Sequence, residues 1–133
     1  MTSNSCASTY ATLCLYHHEL TPDEITSSLG VSPTRTCLKD SKRIQRNGWF
    51  LNTRETIVSK NIEDHLNHLI EAIEDFKEQL HKFVLMGGEA RIFCFWASKT
   101  ENGGLVLSAN LLKKIGELGT ELHFDIWFDE SSE

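Results

Sequence analysis

The stretch NIEDHLNHLIEAIEDFKEQLHKFVL, residues 61–85, decides how this chain can fold. At about 100° per residue, its large apolar side chains fall on one stripe of a helix and its polar residues cover the rest. The stripe consists of Ile62, Leu66, Leu69, Ile70, Ile73, Phe76, Leu80 and Phe83. Burying eight such side chains contributes about 12–24 kcal/mol before chain entropy is subtracted. We therefore expect one long helix, capped by Asn61 and ended by Gly87-Gly88, to anchor the core.

Two shorter helices are predicted from their capping residues. Residues 21–24, Thr-Pro-Asp-Glu, combine a capping hydroxyl, a proline at the first helical position and a glutamate at the capping-box position. They predict a helix over 22–29, closed by Gly30. Ser108 is predicted to cap a third helix that is closed by Gly119. The apolar side of this third helix is formed by Leu111, Leu112, Ile115 and Leu118.

Strands are predicted where apolar and polar residues alternate, or where β-branched and aromatic residues cluster. Residues 7–16, 90–97 and 105–107 meet these criteria. The last strand alternates most regularly. We expect one of its sides, formed by Leu122, Phe124, Ile126 and Phe128, to face the helices, and the other, formed by His123, Asp125 and Trp127, to point away from them.

Asn47-Gly48 is the dipeptide best suited to a type I′ turn, so residues 35–53 are predicted to form a hairpin around it. The predicted order is then βαββαββαβ. This order predicts an α+β fold with a mainly antiparallel sheet and helices on one face, close to a ferredoxin-like plan. With 133 residues the chain fits a single domain over 1–133, with a frayed acidic tail at 129–133.

Composition sets limits on the function. Cys6, Cys14, Cys37 and Cys94 match no zinc or redox spacing, so we expect reduced structural thiols, no metal and no cofactor. The N-terminus has no signal-peptide pattern, and no window approaches the ~20 apolar residues of a membrane span. We expect a cytoplasmic protein that does not enter the membrane. The net charge of −6 disfavours broad nucleic-acid binding.

Three stretches resemble a bacterial family known as domain of unknown function 4279. They are the run LTPDEITSSLGVSPTR at 20–35, the Gly-Trp pair at 48–49, and GLVLSANLL at 104–112 leading to LHFDIW at 122–127. The resemblance covers nearly the whole chain. It departs after the Thr-Arg pair, where the family usually has an aromatic residue and a lysine-glycine pair, but this chain has Cys37 and Lys39-Asp40. The resemblance implies a fold and a bacterial or phage source, without an activity.

No nucleophile elbow and no phosphate-binding loop is present in the sequence, which favours a non-catalytic protein but leaves an enzymatic role open. His65 and His68 lie three residues apart and are interpreted as surface histidines rather than a metal pair. A second site is suggested by aromatic residues around a polar pair on the sheet face without helices. This ligand or self-association face would comprise Tyr10, Tyr16, His123, Asp125 and Trp127, with the homodimer as one hypothesis.

Charge is unevenly distributed along the sequence. Residues 34–60 hold seven lysines and arginines but only two carboxylates, whereas the solvent side of the long helix is acidic. Its acidic residues are Asp64, Glu71, Glu74, Asp75 and Glu78. One hypothesis is a non-catalytic protein-interaction domain, such as an immunity or antitoxin-type inhibitor, that binds a basic protein through this face. The alternative is a small-molecule-binding or enzymatic domain that uses the sheet face around His123, Asp125 and Trp127.

Overall fold

The structure is a computed structural model and describes residues 5–40 and 42–128. Within these ranges it contains five strands and four helices, which confirms the α+β class. The predicted tail at 129–133 lies outside the described residues. The elements are β1 (Cys6–His17), α1 (Pro22–Leu29), β2 (Arg35–Cys37), β3 (Asn47–Asn52), α2 (Ile62–Glu74), α3 (Lys77–Leu85), β4 (Glu89–Ser98), α4 (Ala109–Glu117) and β5 (Glu121–Phe128).

The strands form one mixed sheet in the order β2-β3-β1-β4-β5. β1 pairs antiparallel with β3 and β4, and β2 pairs antiparallel with β3. β4 and β5 are parallel, because residues 105–107 form no strand and α4 returns the chain to the same end of the sheet. Three of the four strand pairs are antiparallel, so the sheet is mainly antiparallel as predicted but mixed, and the ferredoxin-like order is not confirmed.

The core lies on the side of the sheet that the helices cover. Alternate residues of β1, among them Ala11, Leu13 and Leu15, are fully buried there and pack with apolar residues of all four helices. All eight residues of the stripe predicted over 62–83 are buried, as expected for the main core-forming segment. The period-2 pattern of β1 thus assigns one of its faces to the core and leaves the other face free.

The capping predictions are confirmed. Thr21 Oγ1 accepts a hydrogen bond from the Glu24 amide at 3.2 Å, and Glu24 Oε1 accepts one from the Thr21 amide at 3.0 Å. Gly30 and Gly119 follow their helices with φ of 76° and 74°, a region that favours glycine. Ser108 Oγ accepts from the amide three residues later at 3.2 Å. Each of these contacts is local, so the sequence pattern alone could specify it.

The turn predicted at Asn47-Gly48 is wrong, because both residues lie inside β3. Asn47 is buried, and its side chain accepts from the Lys39 amide and donates to the Leu20 carbonyl, both at 2.9 Å. The chain reverses before it, where Asp40 Oδ1 accepts from three amides at 2.7–3.2 Å. Gly48 does not have a positive φ. It provides space, since a Cβ there would lie 2.8 Å from the Phe50 ring.

The single helix predicted over 61–85 is in fact two helices. The backbone leaves the helical conformation at Phe76, with φ −129° and ψ 26°, and α3 begins at the next residue. The Phe76 amide donates to the Ile73 carbonyl at 2.9 Å, an i→i−3 bond typical of a tightened last turn. Neither proline nor glycine stands at this point, so the sequence carried no signal for the break. No helix in the described part of the chain is long and apolar enough to cross a membrane.

The edge strand β5 has the predicted parity but not the predicted burial. Phe124, Ile126 and Phe128 lie level with Cys94, Trp96 and Ser98 of β4, on the helix side. Each still exposes 42–44% of its surface, and only Leu122 packs against the core. The prediction that Phe124 is a core residue is therefore wrong. The reason is position, because the helices bury the central strands more completely than the edge.

Candidate binding surface

The sheet face turned away from the helices, called the open face below, contains a shallow groove of about 240 Å³. Its floor is formed by Thr12 and Cys14 of the central strand β1. Around these small residues stand five aromatic rings, with an arginine and a carboxylate at the ends. The lining residues are Tyr10, Thr12, Cys14, Tyr16, Arg35, Phe50, Phe93, Phe95 and Asp125.

The aromatic rings are fixed by contacts across neighbouring strands. Tyr10 stacks on Phe95 with ring centroids 5.0 Å apart, and Tyr16 meets Phe50 edge-on at 5.8 Å. Such cross-strand pairs stabilise a sheet and hold the rings in one arrangement. The groove is therefore preformed.

Four arginines lie over these rings. The guanidinium of Arg35 is 4.3 Å from the centroid of Phe50, and that of Arg54 is 5.5 Å from that of Tyr10. Arg46 and Arg91 both approach Tyr16, at 4.4 and 5.6 Å. The rings thus hold the guanidinium groups at the surface of the groove by cation–π attraction.

Carboxylates balance part of this positive charge. Glu89 contacts Arg46 at 2.7 Å and Arg91 at 2.9 Å. The hydrogen bond from Arg46, with the charge of both arginines, holds the pKa of Glu89 below its usual value. By contrast, Arg35 and Arg54 form no ion pair with any described residue. Their charges are free to meet an added anionic group.

Burial disfavours the thiolate form of the cysteine in the floor of the groove. Burial raises the pKa of Cys14 to about 11, although Arg35 and Arg91 lower it in part. Burial likewise raises the pKa of Tyr16. Since the thiolate is the nucleophilic form of cysteine, a neutral Cys14 behaves as a small apolar residue in the floor of the groove.

The predicted sheet-face site is only partly brought together. Tyr10, Tyr16 and Asp125 line the groove, but β4 lies between β1 and β5, so Trp127 stands opposite Ala97 and not beside the tyrosines. His123 stacks on Phe93 at 4.8 Å, and its Nε2 lies 2.9 Å from Glu121 Oε1. Asp125 instead accepts from Trp127 Nε1 at 2.9 Å. His123 and Asp125 therefore share a face, but each contacts a different neighbour and they do not pair with each other.

The acidic helix face is present on the opposite side of the molecule. Glu71, Glu74, Asp75 and Glu78 are exposed on α2 and α3, and Asp64 accepts a hydrogen bond from Ser59 at 2.6 Å. Within the described ranges the one ion pair of this set joins Lys77 to Glu74 at 4.0 Å. Three arginines of the basic segment, Arg35, Arg46 and Arg54, thus lie on the side of the sheet opposite to the acidic helices.

The histidine prediction needs a correction at His65. This residue is 1% exposed, and its ring contacts Thr53 Oγ1 at 2.6 Å and the Ser59 carbonyl at 2.9 Å. Its ring thus links the segment before α2 to the residue that follows β3. Of the two histidines, only His68 is partly exposed. The residues that the structure describes include no group of three histidines, cysteines or carboxylates placed to hold a metal ion.

Several groove residues were missed by sequence reasoning. Phe93 and Phe95 were assigned only to a predicted strand, and Arg35, like Arg54 over the ring of Tyr10, was counted only as part of a basic segment. The available signal was the alternation of Arg91, Phe93 and Phe95 along β4, which predicts a second face. Pairing β4 with β1 could not be derived from it, because strand neighbours are a non-local property.

These features define a small α+β domain with one helix-covered and one open sheet face. The family model described as "Domain of unknown function (DUF4279)" matches residues 7–129. The chain therefore belongs to this family, as its motifs suggested. Comparison with curated proteins and with solved structures gives no match.

Proposed function

We propose that this chain is a non-catalytic binding domain that holds an acidic segment of a partner protein on its open face. The observation that carries the proposal is the set of arginines stacked on aromatic rings around a preformed groove. Arginine and large aromatic residues dominate the binding energy of protein interfaces. Rings that already hold their guanidinium groups reduce the entropy that binding would otherwise cost.

A protein segment fits the surface better than a small molecule. The groove of about 240 Å³ lies below the roughly 300–1,000 Å³ of typical ligand pockets and is open to solvent. A peptide can place apolar side chains on the rings and carboxylates near Arg35 and Arg54. Charge complementarity then selects acidic partners.

Nucleic acid fits less well, because three carboxylates stand among the arginines. Glu89, Glu121 and Asp125 all lie on the open face, where they would repel closely spaced phosphates. The overall charge of −6 adds to that repulsion. A non-catalytic role is favoured by the neutral Cys14 and by the separate engagement of His123 and Asp125.

The proposal can be tested by selecting a random peptide library on the wild-type protein. The selected peptides are then measured against the double variant Arg35→Glu/Arg54→Glu. We expect acidic sequences with apolar residues, and at least a tenfold loss of affinity in this variant. The matched control is Lys113→Glu/Lys114→Glu, which reverses two exposed charges on α4 and should bind normally. Acidic peptides that bind both double variants equally would refute the proposal.

A second candidate is the inhibitor hypothesis, in which the acidic helix face binds a basic protein. The supporting observation is the cluster of exposed carboxylates on α2 and α3, with few cations nearby among the described residues. Enrichment of basic peptides would favour it. These peptides should then lose binding to Glu71→Lys/Glu74→Lys/Glu78→Lys, which should retain the fold because exposed charges contribute little stability.

A further inference from the structure

The strand β5 is a long, unprotected sheet edge. It has eight residues, whereas the opposite edge strand β2 has three. Proteins usually protect an edge with lysine, proline, a bulge or a very short strand, because its free backbone groups pair readily with another chain. β5 contains neither lysine nor proline, and no described element lies beyond it in the sheet.

This edge also exposes apolar side chains on both faces of the sheet. Phe124, Ile126 and Phe128 are 42–44% exposed on the helix side, and Trp127 is 61% exposed on the open face. If an aromatic side chain buries about 150–250 Å², covering Phe124 and Trp127 removes roughly 160–260 Å² per copy. A standard interface buries about 800 Å² per partner, so even with Ile126 and a backbone ladder the total falls below that size and predicts weak association.

We propose that β5 pairs antiparallel with β5 of a second copy, so that two sheets join into one of ten strands. In such a two-fold dimer the same edge meets itself. In antiparallel pairing, residues directly opposite each other point to the same face of the sheet. The two-fold axis, which lies between the two strands, must therefore be level with one residue, and that residue faces its own copy. For the eight residues of β5, an axis at Phe124 or at Asp125 gives the greatest overlap.

The charges of the strand favour an axis at Phe124 over one at Asp125. An axis at Asp125 would place that carboxylate opposite the same residue of the partner, and like charges directly opposite are unfavourable. An axis at Phe124 instead places His123 opposite the partner's Asp125, so that a ring N–H faces a carboxylate. It also places Leu122 opposite the partner's Ile126. The strand is therefore complementary to itself in this register.

The association can be measured by sedimentation of the full chain between about 1 and 500 µM. We expect a concentration-dependent species of twice the monomer mass. Ile126→Lys should raise the dissociation constant at least tenfold, because a charge would enter the joined edge. The control Val58→Lys lies at a fully exposed position after β3 and should dimerise normally. A monomeric wild type at every concentration would overturn the proposal.

The register is tested by disulfide formation in a Cys37→Ser background, which removes the one partly exposed cysteine among the four. With the axis at Phe124, two copies of Phe124→Cys lie directly opposite each other and should form a disulfide under mild oxidation. Two copies of Ile126→Cys would be about 13 Å apart along the strand and should not. Cross-linking through residue 126, or through neither residue, would exclude this dimer.

Discussion

Replacing Gly48 by alanine should destabilise the protein, because the added methyl group would enter the space of Phe50. The new Cβ would lie 2.8 and 2.9 Å from two atoms of that ring, and 3.2 Å from Cys37 Sγ. Phe50 is 7% exposed and its ring contacts the Arg35 guanidinium, so the ring cannot move without losing contacts. Overpacking of this kind costs about 1–3 kcal/mol. Lower entropy of the unfolded alanine chain offsets about 1 kcal/mol of this cost, which leaves a net loss of up to about 2 kcal/mol.

The matched control is Gly116→Ala in α4. Nothing lies within 4 Å of the Cβ that this change adds, and the position is helical. Alanine is there expected to stabilise the protein by about 0.5–1 kcal/mol. Urea titration of both variants should thus give opposite signs. Removing the ring with Phe50→Ala should abolish the cost of Gly48→Ala. The steric explanation fails if that cost persists without the ring, or if Gly48→Ala is as stable as the wild type.

Two further predictions concern buried groups. Burial raises the pKa of Cys14 to about 11 and of Cys94 to about 12. Iodoacetamide at pH 8 should therefore modify Cys37 in the native protein, and Cys14 and Cys94 only after denaturation. Modification of Cys14 in the native state, measured by peptide mass spectrometry, would contradict its assigned burial. Thr53 Oγ1 accepts a hydrogen bond from the Ala11 amide at 3.1 Å and contacts His65. In urea titration, Thr53→Val should therefore lower the free energy of unfolding by about 1–3 kcal/mol, whereas Thr56→Val at an exposed position should change it little. Equal effects of the two substitutions would exclude a stabilising role for these hydrogen bonds of Thr53.

The elements specified by local contacts could be predicted from the sequence. The capping box of α1, the serine cap of α4, the glycine caps and the apolar stripe over 62–83 each depend on residues a few positions apart. The break at Phe76 could not be predicted, because no residue there disfavours a helix by itself. Asn47-Gly48 was misinterpreted because tertiary contacts outweigh its preference for a turn. These contacts are the buried hydrogen bonds of Asn47 and the packing of the Phe50 ring over Gly48.

The candidate site shows the same division between local and non-local information. Parity correctly assigned Tyr10, Tyr16 and Asp125 to the open face. It could not show that β4 separates β1 from β5, or that the arginines of the basic segment stack on the rings of other strands. Burial of β5 was overestimated, because alternation reveals which side a residue occupies but not whether a helix lies above it.

The opposite placement of arginines and helix carboxylates gives this domain a permanent electric dipole moment across its sheet. Its positive end lies at the groove and its negative end on the outer surface of α2 and α3. A molecule of net charge −6 with this dipole is repelled as a whole by an anionic surface at long range, yet it turns its groove toward that surface at short range. An acidic partner of the kind proposed above would thereby be oriented before the first contact forms.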